Sequence, residues 1–166
     1  MSIEANDFRD VLRHFAAGVT VVTMKSGDDV HGMTVSAFSS VSADPALILV
    51  CIDHKGRGHE LLERDDAVFA VNILKAGQED TSNRFAFSKE DRFAEGNWTT
   101  AVTGAPLLED AVAWLDCTVF ARHVAGTHTI YVGQVQACRV NENDAAPLLY
   151  WNRGYRNLEL VADTES

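Results

Sequence analysis

From Val19 to Trp151 the chain is a succession of short apolar and β-branched runs cut by glycine, proline and aspartate, and this punctuation constrains the fold more than any other feature. Val19 to Met24 is a β-branched run, Ser26-Gly27-Asp28-Asp29 a turn signal and His31 to Phe38 a return strand, so residues 19–38 read as a hairpin. Ala46 to Ile52 is a continuous apolar run, expected to be a strand buried on both faces. Ala67 to Ile73, Ala111 to Val124, Ile130 to Val140 and Pro147 to Trp151 complete a set of six or seven strands. Helical spacing is confined to a few places. Phe8, Val11, Leu12 and Phe15 follow a capping Asn6, with Gly18 placed to stop the helix. A short helix is expected near Glu60 to Arg64, and residues 77–97 read as a charged, aromatic-dotted helical flap. Gly104-Ala105-Pro106 breaks the chain, and residues 152–158 return basic and aromatic side chains after an acidic stretch. No internal repeat or low-complexity linker divides the sequence. The expectation is one domain over residues 1–166, mainly β, an antiparallel barrel or sandwich.

Charge and cysteine usage narrow the function classes. A formal net charge of −10 argues against a nucleic-acid surface or an anionic membrane, although a local nest of amides with one or two cations can still hold a phosphate. No apolar run approaches bilayer length and no basic-then-apolar leader opens the chain, so a cytoplasmic location is expected. Cys51, Cys117 and Cys138 are far apart and odd in number, and read as buried free thiols. The six histidines show no HxH or HExxH spacing, so no metal site is expected. Dinucleotide GxGxxG, P-loop and nucleophile-elbow motifs are all missing.

Three stretches carry chemistry beyond core filling. Residues 32–45 begin with period-2 alternation, then load hydroxyls onto Thr34, Ser36, Ser39, Ser40 and Ser42 before a turn at Asp44-Pro45. Hydroxyls beside free amides at a strand end suit a heterocycle edge or a phosphate, and equally a polar sheet edge. Residues 53–59, Asp-His-Lys-Gly-Arg-Gly-His, form a basic, glycine-punctuated turn before a helix, an anion site or a flexible connector. His128 stands at the start of a strand, after Gly126 and between Thr127 and Thr129.

Taken in order, Phe15 to Thr23, Gly32 to Pro45, Phe69 to Leu74, Gly104 to Leu108, Gly126 to Gly133 and Pro147 to Trp151 resemble the short-chain flavin reductases. These are the reductase components of two-component flavin-dependent monooxygenases, and the resemblance covers about residues 8–158. It implies a Greek-key split β-barrel that dimerises, with FMN or FAD as flavin and NADH or NADPH as co-substrate. By matching positions, Thr34, Val35, Ser36 and Ala37 would line the isoalloxazine edge, and Ser39 and Ser40 would lie near the ribityl chain and ring. Cys51, Asp53, His54, Lys55, Gly56 and His59 match the strand end and turn that hold ribityl and phosphate. Arg84 and Phe85 match a flanking element on the phosphate side. His128 matches the histidine near the nicotinamide, the one expected catalytic residue, and Tyr155 borders the same pocket.

One position departs from the family: Thr127 stands where an aspartate usually precedes the histidine. A neutral hydroxyl can hydrogen-bond the imidazole but cannot raise its pKa as a carboxylate would. The resulting expectation is an NAD(P)H:flavin oxidoreductase whose reduced flavin diffuses to an oxygenase. The rival is a flavin-holding electron carrier or sensor with little turnover, and a weaker third reading is a barrel that binds some other ligand.

Overall fold

In the computed structural model, which describes residues 3–142 and 144–158, helix α1 (Ala5–Leu12) leads to the two-residue strand β1 (Ala17–Gly18). Glu4, not Asn6, occupies the cap position, and Asn6 Oδ1 accepts from Arg9 Nη1 at 3.4 Å instead. Gly18 does not end the helix. It pairs with Leu149 six residues beyond the last helical turn.

The hairpin is present as β2 (Thr20–Ser26) and β3 (Asp29–Val35), closed by a two-residue turn with Gly27 at φ 55°. The return strand stops at Val35, three residues short of the expected end. After Ser36 and Ala37 a separate strand begins, β4 (Phe38–Ala43), followed by β5 (Ala46–Asp53). Ser39, Ser40 and Ser42 therefore belong to a strand, not to a turn. The remaining elements are α2 (Arg57–Leu62), β6 (Val68–Ile73), α3 (Glu79–Phe87), β7 (Trp98–Thr99), β8 (Leu107–Leu108), β9 (Ala113–Ala125), β10 (His128–Val140), β11 (Leu149–Trp151) and β12 (Gly154–Arg156).

Seven strands form one antiparallel sheet in the order β3-β2-β6-β9-β10-β5-β4. Strands β3 and β4 are its two opposite edges, yet only Ser36 and Ala37 separate them in sequence. Three chain steps reach at most about 11 Å, so the edges must lie side by side. The sheet is rolled into a barrel, and no ladder joins β3 to β4. That seam is what makes the barrel split, and the Ser36-Ala37 corner sits on it.

The barrel interior is filled by Met24, Val50, Ile52, Leu62, Phe69, Val71, Cys117 and Tyr131, all completely buried. Strand β5 alternates instead of being buried on both faces: Ile48, Val50 and Ile52 point inward, while Leu47, Leu49 and Cys51 stay half-buried outside. Only residues 79–87 of the expected flap are helical, and its aromatic side chains belong to a second core. Phe85 is completely buried and packs edge-on against Phe93 at 5.2 Å between ring centres, and Trp98 completes the group. Of the three cysteines only Cys117 is buried, where burial pushes its thiol up to about 12; Cys138 is exposed. The 152–158 tail turns through Asn152 and Arg153, both at positive φ, into β12, and β1, β11 and β12 make a small second sheet.

Candidate active site

The sheet register brings the seam, the strand end and the histidine onto one rim. The carbonyl of Ala37 accepts from the Cys51 N–H at 3.0 Å, which ties the Ser36-Ala37 corner to β5. Two residues on, Asp53 is paired with His128 across β5 and β10. Ser36, Ala37, Ser39 and Ser40 are exposed along this rim, and Cys51, Asp53 and His128 are partly so. Burial raises the Cys51 thiol, so it sits there as a neutral group.

The turn after β5 is built by its own backbone. Asp53 Oδ1 accepts from the Lys55 N–H at 2.9 Å, and the His54 N–H donates to the Thr127 carbonyl at 3.0 Å. That backbone bond from Lys55 is the main reason the Asp53 carboxyl lies below its usual range, with the charges of His128, Lys55 and His54 adding to it. Lys55 is exposed and faces no carboxylate within ion-pair distance among the described residues. Gly56 precedes α2, and Gly58 is buried where a Cβ would lie 2.9 Å from Met33 Sδ, so the helix start packs tightly on the barrel.

His54 and His59 turn inward at this barrel end. Their rings lie 4.6 Å apart; His54 Nε2 meets Thr129 Oγ1 at 3.0 Å and His59 Nδ1 meets the Tyr131 hydroxyl at 2.6 Å. Tyr131 donates its proton to Glu63 Oε1 at 2.7 Å, so His59 Nδ1 is the donor of that pair and its Nε2 is left as the acceptor. Burial and the Glu63 carboxylate hold the Tyr131 phenol well above its usual range. Sequence reasoning missed Tyr131, Thr129 and Glu63 because an alternating strand and an exposed helix end give no sign that they meet.

A cleft of about 370 Å³ opens on the other side of the seam, where Thr34 and Ser36 face α3 and the β11–β12 hairpin. Thr34 Oγ1 donates to the Ser82 carbonyl at 2.6 Å. The Tyr155 hydroxyl lies 2.9 Å from Ser82 Oγ and 2.8 Å from Asn83 Oδ1, and the Tyr150 and Tyr155 rings meet edge-on at 5.5 Å. Phe87, 78% exposed, forms an outer wall. None of Ser82, Asn83, Phe87 and Tyr150 was singled out in the sequence. The aromatic tail after residue 149 is the one signal that pointed here.

Several expected residues lie elsewhere. Val35 points into the core, and its carbonyl already accepts from Thr20 Oγ1 at 2.6 Å. Phe85 is core, so its side chain cannot face a ligand. Arg84 turns away to Glu95, through both the carboxylate and the carbonyl, although its buried Nε keeps no partner. His128 does not line the cleft that holds Tyr155, so within one chain the two border different hollows. Among the described residues no three His, Cys, Asp or Glu side chains cluster as a metal site, and no helix is long and apolar enough to cross a membrane.

Residues 12–159 match the model of the flavin reductase like domain. The chain belongs to that family. It is 41% identical over 165 residues to a flavin reductase (NADH) of Kitasatospora aureofaciens, a match that covers 97% of this chain and 85% of the relative. It is 33% identical over 158 residues to the reductase subunit of a flavin-dependent monooxygenase of Mycobacterium tuberculosis, covering 95% and 84% respectively. The barrel superposes on a Streptomyces globisporus NADH:FAD oxidoreductase solved with NAD and FAD fragments, with a TM-score of 0.86 at 32% identity and 99% of each chain covered. The split antiparallel barrel expected from the sequence is thus the family's fold.

Proposed function

We propose that this chain is an NADH-dependent flavin reductase that supplies reduced FMN or FAD to a partner monooxygenase. The observation that carries the reading is the rim itself: exposed hydroxyls at the seam, an unpaired Lys55 and His128 lie along one continuous backbone path, in a family whose relatives reduce flavin with NADH. The residues fit the group. Ser36, Ser39 and Ser40 offer hydroxyls to a ring edge and a polyol chain, and Lys55 offers an ammonium to a phosphate in a chain of net charge −10. Bound flavin supplies the hydride acceptor that no side chain of the protein can provide.

The protein's own contribution is placement. Fixing two reactants in a near-attack geometry removes much of the entropic barrier without any covalent chemistry by the enzyme. Thr127 Oγ1 lies 3.0 Å from His128 Nδ1, which leaves Nε2 to meet the nicotinamide carboxamide. The ordered barrel end around His54, His59 and Tyr131 keeps the turn that carries Lys55 from drifting.

The reading includes a homodimer. No residue of α1 is buried, although Phe8, Val11 and Leu12 on it and Phe15 after it are each more than half exposed. A second copy is the occupant that would cover this apolar face and bring a Tyr155 cleft towards a His128 rim. Free thiols and a nicotinamide co-substrate favour a cytoplasmic location. Steady-state NADH and NADPH oxidation with added FMN or FAD tests the proposal. NADH with at least one flavin should turn over, whereas tight flavin binding without turnover would establish the electron-carrier reading instead.

A further inference from the structure

The pairing of β5 with β10 fixes how close Asp53 and His128 stand. The His54 N–H reaches across to the Thr127 carbonyl, while the Cys51 N–H faces the other way, towards Ala37. Backbone groups alternate sides along a strand, so residue 53 does not bond to β10. Asp53 and His128 therefore form a non-hydrogen-bonded cross-strand pair, the closer of the two kinds, with Cβ atoms about 4.5–5.5 Å apart on one face. Asp53 is also the only acidic residue on either strand. Its Oδ1 is taken by the Lys55 N–H, which fixes the carboxylate and leaves Oδ2 free.

The other groups around the imidazole cannot take this part. Thr127 bonds to Nδ1 but carries no charge. Lys55 lies beyond Asp53, His54 is turned inward to Thr129, and His123 sits one pair back on the same face of β9, opposite Ile130. Each of these is neutral or opposes a proton on His128.

We infer that Asp53 is a positioning residue for His128, its carboxylate holding the ring from across the strand pair and favouring the imidazolium. The consequence rests on the reductase reading. With Nδ1–H given to Thr127, a protonated ring keeps a second donor at Nε2 for the nicotinamide carboxamide, and the neutral tautomer with its proton on Nδ1 does not. Asp53 thus sets the pH up to which the nucleotide finds its donor.

The test is the titration of the His128 ring by NMR in the full chain. A unit charge about 5 Å away through water shifts an ionisation by about half a pH unit. Asp53→Asn should lower the His128 midpoint by that amount or more, and Asp53→Glu should restore it. Removing a remote exposed carboxylate, Glu109→Gln, should leave the midpoint in place, which separates a local pair from net charge. If Asp53→Asn does not fold, Asp53→Ser serves the same comparison. A midpoint unmoved in Asp53→Asn, or moved equally by Glu109→Gln, overturns the inference. The titration needs no turnover, so it judges the pair even if the chain reduces no flavin. The pH profile of kcat/KM for NADH, moving with the same midpoint, judges the role.

Discussion

Gly133 is the residue whose replacement should cost the barrel most for the smallest chemical change. It lies on β10 opposite Val119, beside the register shift that leaves Phe120 outside the ladder. A Cβ at this position would sit 2.4 Å from Phe69 Cζ, 3.0 Å from its Cε1 and 3.1 Å from Cys117 Cβ. Phe69 and Cys117 are both completely buried, so neither can swing into solvent to make room. Overpacking of a tight core costs about 1–3 kcal/mol. With a ring and a strand backbone both in the way, Gly133→Ala belongs at the upper end, about 3 kcal/mol. At about 2–4 °C per kcal/mol for a chain of this size, the melting temperature should fall by about 6–12 °C. Thermal unfolding followed by circular dichroism at matched protein concentration measures it. Phe69→Leu removes the obstructing ring atoms, so adding it to Gly133→Ala should recover part of the loss, a coupling that additive effects would not show. A Gly133→Ala protein that melts within about 2 °C of the parent would refute the packing argument.

Lys55→Ala should weaken FMN by about tenfold, the order of one solvent-screened charge-assisted hydrogen bond, and barely affect riboflavin, which has no phosphate. Isothermal titration with both ligands checks this, and equal weakening would make the turn a mere connector. His128→Ala should raise KM for NADH or lower kcat by about tenfold or more while flavin affinity holds. Loss of flavin with intact NADH kinetics would assign the residue to the other ligand. His31 is held neutral in the fold, its pKa lowered to about 4, first by burial and then by Arg92 and Arg57. The unfolded chain binds that proton near pH 6.5, so stability should fall as pH drops from about 6.5 towards 4. Denaturant midpoints across this range should be flatter for His31→Gln, and equal slopes would contradict it. Sedimentation should show a dimer at micromolar concentration; a monomer with flavin still bound would remove the second copy from the site.

The strands were legible because β-branched runs between glycine and proline breaks leave little choice of local structure, and β2, β6, β9 and β10 lie close to where the sequence put them. What the sequence could not give was the seam. Nothing local in Val35-Ser36-Ala37-Phe38 says that the two strands it joins are the opposite edges of one sheet, so residues 32–45 read as a single strand with a hydroxylated end. The helical flap failed for a related reason. Phe85, Phe93 and Trp98 are spaced irregularly, and an irregular loop with buried aromatics has the composition of an amphipathic cover. Asp116 shows the same limit on the polar side: it is buried in mid-strand because the Thr103 N–H and hydroxyl, thirteen residues earlier, both donate to it. For the site, the 53–59 turn and His128 were found by their glycines and charge. The partners that orient them, Thr129, Tyr131 and Glu63, come from elements that only the register of β10 against β5 and the seat of α2 bring together.

The central claim is that this chain places nicotinamide and flavin for direct hydride transfer. Anaerobic mixing of NADH with FMN or FAD and catalytic amounts of the protein, followed by the visible flavin absorbance, addresses it with the oxygenase and oxygen both removed. Direct transfer requires the flavin band to bleach at a rate set by the protein concentration. It also requires a primary isotope effect with only one of the two C4-deuterated NADH epimers, because a fixed stack exposes a single face. Flavin that stays oxidised in the presence of NADH and folded protein would contradict it.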